Sequence, residues 1–187
     1  MKQCEKKNSV MFRKGLTFIE LIIVIAIIGI MTAVTYFSLR DVKPAKEVEV
    51  GSRKIAALLR QTQNDAVAGK MMDNGVGAKK TPCAFVMRLS NVAGGVRYEK
   101  AYRQDNTGGA ANGCATSTDS APYETGTIPR ITVDSNKDIR FFVPHGGINM
   151  TSSRILLTHT ADNTKRFTIC IGANGNIEEK LGNQTCP

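Results

Sequence analysis

The chain has 187 residues, of which 42% are hydrophobic, 22% charged and 6% aromatic, with no tryptophan. That composition suits one modest globular domain with something added, and it excludes a large multidomain enzyme. The formal charge of +9 is unevenly placed: Lys2, Lys6, Lys7, Arg13 and Lys14 against Glu5 give the first fifteen residues +4, which leaves +5 for everything after Gly15.

Residues 16–39 carry a single charged side chain, Glu20, between Arg13 and Lys14 on one side and Arg40 on the other. As a helix, such a stretch extends roughly 36 Å, enough to cross a hydrocarbon core of about 30 Å. An ordinary secretory signal puts its small-residue cleavage site after the apolar run, whereas here Gly15 precedes it. The basic residues before the span predict a cytoplasmic N-terminus and an exported remainder. A carboxylate inside the span is costly unless a partner neutralises it. Cleavage after Gly15 would create an α-amino group on Leu16, about one helical turn from Glu20, so that amine and carboxylate of neighbouring subunits could pair and set their register.

The run Lys14-Gly15-Leu16-Thr17-Phe18-Ile19-Glu20-Leu21, continued by Ile22-Ile23-Val24-Ile25-Ala26-Ile27-Ile28-Gly29-Ile30, resembles the prepilin signature of type IV pilins and type II secretion pseudopilins. The resemblance implies cleavage between Gly15 and Leu16 by a prepilin peptidase and N-methylation of Leu16 by the same enzyme. It implies Glu20 as the assembly residue. Its partners would be other pilin or pseudopilin subunits, the peptidase, an inner-membrane assembly platform, and the membrane itself before assembly. Met11 to Gly15 alone would make a short leader, so Met11 is a candidate start.

Beyond the span, Pro44 lacks a backbone donor and is expected to kink or interrupt the helix near Val42 and Lys43. Val48, Ile55, Leu59, Thr62 and Ala66 then recur at helical spacing, predicting an amphipathic helix packed on a sheet, ended by Gly69 and Asn74-Gly75-Val76-Gly77. Seven short β-favouring runs follow, at 83–89, 96–102, 128–133, 139–143, 154–159, 167–171 and 176–178. They predict one antiparallel sheet, with turns at 134–138 and at Asn174-Gly175 and a Gly, Ala, Ser and Thr-rich insertion over 104–126. The expected fold class is α+β, a long N-terminal hydrophobic helix whose C-terminal half packs on the sheet. The expected parts are a leader (1–15), a transmembrane and assembly helix (16–39), an amphipathic helix (40–69) and an exported β-rich domain (70–187). The helix around 53–70 and the strand runs near 139–146, 154–157 and 167–177 are similar to the GspH/FimT group of minor pseudopilins, which implies a minor subunit.

Apart from Cys4, the cysteines are Cys83, Cys114, Cys170 and Cys186, an even number suited to disulfides in an oxidising compartment. Four cysteines allow three connectivities. Cys83 with Cys114 would tether the insertion, and Cys170 with Cys186 would pin the tail to a strand; the second pairing resembles the disulfide-bounded C-terminal loop of many pilins. No Cys-x-x-Cys pair exists and His145 and His159 lack ligand spacing, so no metal or cofactor is expected. Asp134, Asn136 and Asp138 imitate the first ligands of a calcium loop, but Ile139 stands where glycine is needed and His145 where an acid is, which favours a hairpin turn. No nucleophile elbow, phosphate loop or paired His and acid motif is present, and no catalytic residue is assigned. DNA is the alternative partner, for a minor pilin that captures it during transformation, although the last eight residues hold only Lys180 as a cation.

Overall fold

A computed structural model describes residues 17–73, 79–104, 114, 118–148 and 152–186. The chain divides into two units, Met1–Asp41 and Val42–Pro187. One helix, α1 (Phe18–Val67), contributes to both.

In the first unit Thr17 caps α1. Its hydroxyl and carbonyl oxygens accept the Glu20 amide at 3.4 and 3.1 Å. Thr17-Phe18-Ile19-Glu20 thus has the spacing of a capping box, with an acid in the first turn where the helix dipole favours it. Every described side chain over residues 17–36 is exposed. Thr32 and Thr35 turn their hydroxyls inward, donating to the carbonyls of Ile28 and Met31 at 2.7 and 2.8 Å, which removes two polar groups from the helix surface.

The second unit begins inside α1. Of the expected kink or interruption near Val42 and Lys43, the interruption does not occur, since Pro44 lies inside α1. The proline's missing amide forfeits one backbone hydrogen bond. Val48, Ile55, Leu59, Thr62 and Ala66 are all buried, so the sequence periodicity does mark the packed face. The helix stops through a Schellman arrangement: the Gly69 amide donates to the Ala66 carbonyl and the Lys70 amide to the Asp65 carbonyl, both at 3.1 Å. Gly69 supplies the positive φ of 59° this needs.

Ten strands follow. A two-residue pair, β1 (Met72–Asp73) and β2 (Lys79–Lys80), stands apart. The others are β3 (Ala84–Val92), β4 (Gly95–Arg103), β5 (Glu124–Pro129), β6 (Ile131–Val133), β7 (Lys137–Phe142), β8 (Ser152–His159), β9 (Arg166–Gly172) and β10 (Ile177–Leu181). Where the sequence suggested one sheet there are two antiparallel four-stranded sheets, ordered β5-β4-β3-β7 and β10-β9-β8-β6. The expected single strand over 128–133 is divided at Arg130, whose φ of 64° turns the chain out of the first sheet and into the second. The end of the expected insertion is ordered as β5, paired with β4.

Residues from both sheets and the helix meet in one core, including Phe85 and Phe141, Ile131 and Ile155, and Ile55 and Leu59. The helix approaches closely at Gly51, where an added Cβ would lie 2.8 Å from Ile131 Cδ1. The fold is α+β: a long apolar helix, its continuation, and antiparallel sheets.

Candidate functional site

The candidate site has two parts, an apolar helix surface in the first unit and a set of cross-links that hold the second unit together. Phe18–Tyr36 is long and apolar enough to cross a membrane. Glu20 is its one acid, and among the described residues no cation lies within ion-pair reach of it. Gly15 and Leu16, the expected processing residues, and Met11 lie outside the described residues, as do Asn74 to Gly77 and most of the 104–126 insertion.

In the second unit Cys83 is bonded to Cys114 and Cys170 to Cys186. The first bond anchors the insertion at the start of β3 beside Arg103, whose guanidinium donates to the Cys114 carbonyl at 3.0 Å. The second lays the tail along β9, where Thr168 donates to the Gly182 carbonyl at 2.7 Å and accepts the Gln184 amide at 3.1 Å. Asp134, Asn136 and Asp138 serve as structural links. Asp134 accepts the Leu156 amide and Asn136 the Asn91 amide, each at 3.4 Å, and Asp138 accepts from Arg140 at 2.8 Å. Among the described residues no three His, Cys, Asp or Glu side chains converge as metal ligands would.

Three polar constellations were invisible at sequence level because their members lie tens of residues apart. Glu47 on α1 accepts from Arg130 at the sheet crossover and from His159 Nε2 at 2.8 Å. The Ala161 amide donates to His159 Nδ1 at 3.1 Å, so the ring proton sits on Nε2, pointing at Glu47. The His159 bond, opposed by burial and reinforced by Arg130, holds the Glu47 carboxyl below the ordinary carboxylate range. Asp119 is shared by Arg88 and Arg103, the latter at 2.7 Å. Burial pushes its carboxyl up, and the two guanidiniums outweigh that and hold it low. Lys100 is fully buried, with its ammonium donating to Gln61 at 2.8 Å and Glu124 at 2.9 Å, which ties β4 to α1 and β5. These groups cross-link secondary structure.

The described surface thus combines an exposed apolar helix with a cross-linked β-rich unit. Residues 11–36 match the family described as prokaryotic N-terminal methylation motif. Over 94 residues the chain is 34% identical to the type IV major pilin protein PilE of Neisseria gonorrhoeae, a stretch covering 50% of this chain and 52% of that protein. The chain thus matches about half the length of that curated relative. Motif and identity together support a likeness to type IV pilins. No solved structure matches the chain.

Proposed function

We propose that the chain is a structural subunit of a type IV pilus or a type II secretion-like filament, and a minor subunit within that class. The observation that carries the reading is the methylation motif over 11–36 ending in an apolar helix exposed on every side. On this reading a prepilin peptidase cuts between Gly15 and Leu16 and methylates the Leu16 amine. The subunit waits in the cytoplasmic membrane with its β-rich domain exported. An assembly platform then moves the helix from lipid into a bundle of like helices. Lipid and helix contacts are similarly apolar, so Glu20 supplies selectivity: in the bundle a neighbour's Leu16 amine neutralises it, and an unmatched carboxylate is penalised. A head-to-tail contact of this kind repeats without closing, which is the geometry of a filament.

The minor assignment draws on the GspH/FimT-like sequence of residues 53–70 and of the later strands. The identity to a major pilin favours the opposite, and abundance in sheared filaments decides between them. Glu20→Ala is expected to leave peptidase-dependent cleavage intact and to lower filament incorporation by about tenfold or more, given the cost of leaving a neighbour's Leu16 amine unpaired in apolar surroundings. Intact mass of the membrane-bound protein reads the first and immunoblots of sheared filaments the second. Normal incorporation of the variant would refute the role given to Glu20.

A further inference from the structure

We propose that the face of the second unit built around residues 43–54 of α1 docks on anionic lipid headgroups. The proposal rests on the reading that Phe18–Tyr36 spans a membrane. Across most of this unit, arginines and lysines are matched with acids, as in Arg60 with Glu179, Lys70 with Asp65 and Lys137 with Asp134. Around 43–54 they are not. Lys43, Lys46, Lys165 and Arg166 have no ion pair among the described residues, and Lys54 has only the Tyr98 ring, 5.8 Å from its ammonium. The acids nearby are already engaged: Glu47 by Arg130 and His159, Glu49 by Arg53 at 2.5 Å, and Asp162 by the amide and hydroxyl of Thr164 at 2.9 and 2.6 Å, with Lys165 near enough to attract it but outside ion-pair distance. Among the described residues, Lys79, Lys80 and Arg154 are the other cations of this unit without an acid partner, and they lie on β2 and β8.

Two clefts flank this helix segment. One, of about 640 Å³, runs between Lys46, Val50 and Lys54 and the Ile128-Pro129-Arg130 corner. The other, of about 280 Å³, runs between Ala45 and Val48 and the pair Lys165 and Arg166, with Leu181 on its wall. Aliphatic side chains stand among the cations: Val50 is 66% exposed and Leu181 77% exposed. A polyphosphate strand would use the charges and leave these aliphatics in water, whereas a headgroup layer takes phosphates and aliphatics together. The tether points the same way. Lys43 and Lys46 follow Tyr36 by seven and ten residues, so even a fully extended chain keeps them within about 25 and 35 Å of the end of the span. Lysines and arginines at such a surface are attracted to anionic lipid and released by salt. Such docking would hold the unit against the bilayer until assembly withdraws it.

The test uses the full chain in nanodiscs of phosphatidylcholine alone, or with about 30% phosphatidylglycerol, each doped with a headgroup-chelated gadolinium lipid. Amide signals of residues 45–50, 164–167 and 180–182 are expected to lose at least about twofold more intensity in the anionic discs than in the neutral ones, and to recover at about 0.5 M salt. Lys46→Glu combined with Lys165→Glu and Arg166→Glu should remove the difference while the remaining spectrum stays dispersed; the salt arm reads the same interaction in the unmodified chain, whatever the fate of the variant. Equal broadening in both lipids, or no broadening in anionic discs, overturns the proposal. So does a short DNA duplex that shifts these amides where anionic lipid does not, an outcome that makes the face a nucleic-acid surface. A chain released from the discs by alkaline carbonate overturns the spanning reading and this one with it; a retained chain with unbroadened amides overturns the docking face alone.

Discussion

The same helix, α1, behaves in opposite ways along its length. Over Phe18–Tyr36 none of it is buried, and its isoleucines, leucines and valines stand 45% to 68% exposed. Over residues 48–66 one stripe is fully packed, and the opposite side carries Arg53, Lys54 and Arg60. A helix apolar all round has nowhere to put its surface except lipid or other helices, whereas an amphipathic one is satisfied by its own domain. The first stretch has the length and the apolar surface of a membrane span.

Two substitutions of large expected effect separate these roles. Ile27→Arg places a charge near the middle of the span and should weaken membrane insertion by about 3 kcal/mol, measured as extraction by alkaline carbonate, while thermal melting of the second unit stays put. Leu59→Ala, at a position with no exposure, should cost the second unit about 3 kcal/mol and leave insertion unchanged. If Leu59→Ala loosened membrane retention, or Ile27→Arg lowered the melting temperature, the two stretches would not be energetically separate.

A smaller effect is expected within the second unit at Asp119. Asp119→Ala leaves Arg103, 12% exposed, and Arg88, 33% exposed, facing each other without their shared anion. The cost should be about 2 kcal/mol, below that of a fully sealed pair because Arg88 can reach water. Lys100→Met provides the contrast. It removes a fully buried ammonium, but Glu124 is 38% exposed and can turn to solvent, so the loss should stay under about 1 kcal/mol. Denaturant unfolding of the two variants gives the ranking, and a larger loss at Lys100 would mean that burial of the cation outweighs solvation of its partner.

What could be read from sequence follows from how local each signal is. The apolar run, the 48–66 stripe, the Gly69 stop and most strands depend on neighbours within a few residues, and the structure places them close to where the pattern does. The crossover at Arg130 does not announce itself, because a left-handed φ is expected of glycine or asparagine, and the long arginine side chain there is explained only by Glu47, 83 residues away in sequence. Likewise nothing local marks Lys100, Asp119 and His159, whose side-chain partners lie 16 to 112 residues away in sequence. The β6–β7 and β7–β8 connections also change sheets, while the passage from β5 to β6 is accounted for by that backbone angle. No periodicity contains it.

The smallest effect concerns pH, and it tests whether Glu47 fastens the start of the packed helix. Its carboxyl is held low by the bond from His159, against burial, with help from Arg130. A lowered carboxyl contributes stability that is fully present above its unfolded range, roughly pH 4, and is lost as pH falls through the lower folded value. Glu47→Gln keeps the size and a hydrogen-bond acceptor for Arg130 but cannot ionise. It should cost under about 1 kcal/mol at pH 7, as befits an ion pair in contact with solvent. Because Asp119 is held low as well, both proteins should weaken in acid, and only the part due to Glu47 should vanish from the difference. Melting temperatures of wild type and Glu47→Gln are therefore expected to differ at neutral pH and to converge below roughly pH 4. Parallel curves down to pH 3 would mean that the glutamate acts by shape alone, and that the charge on this first packed turn is incidental to holding the helix against Arg130 and His159.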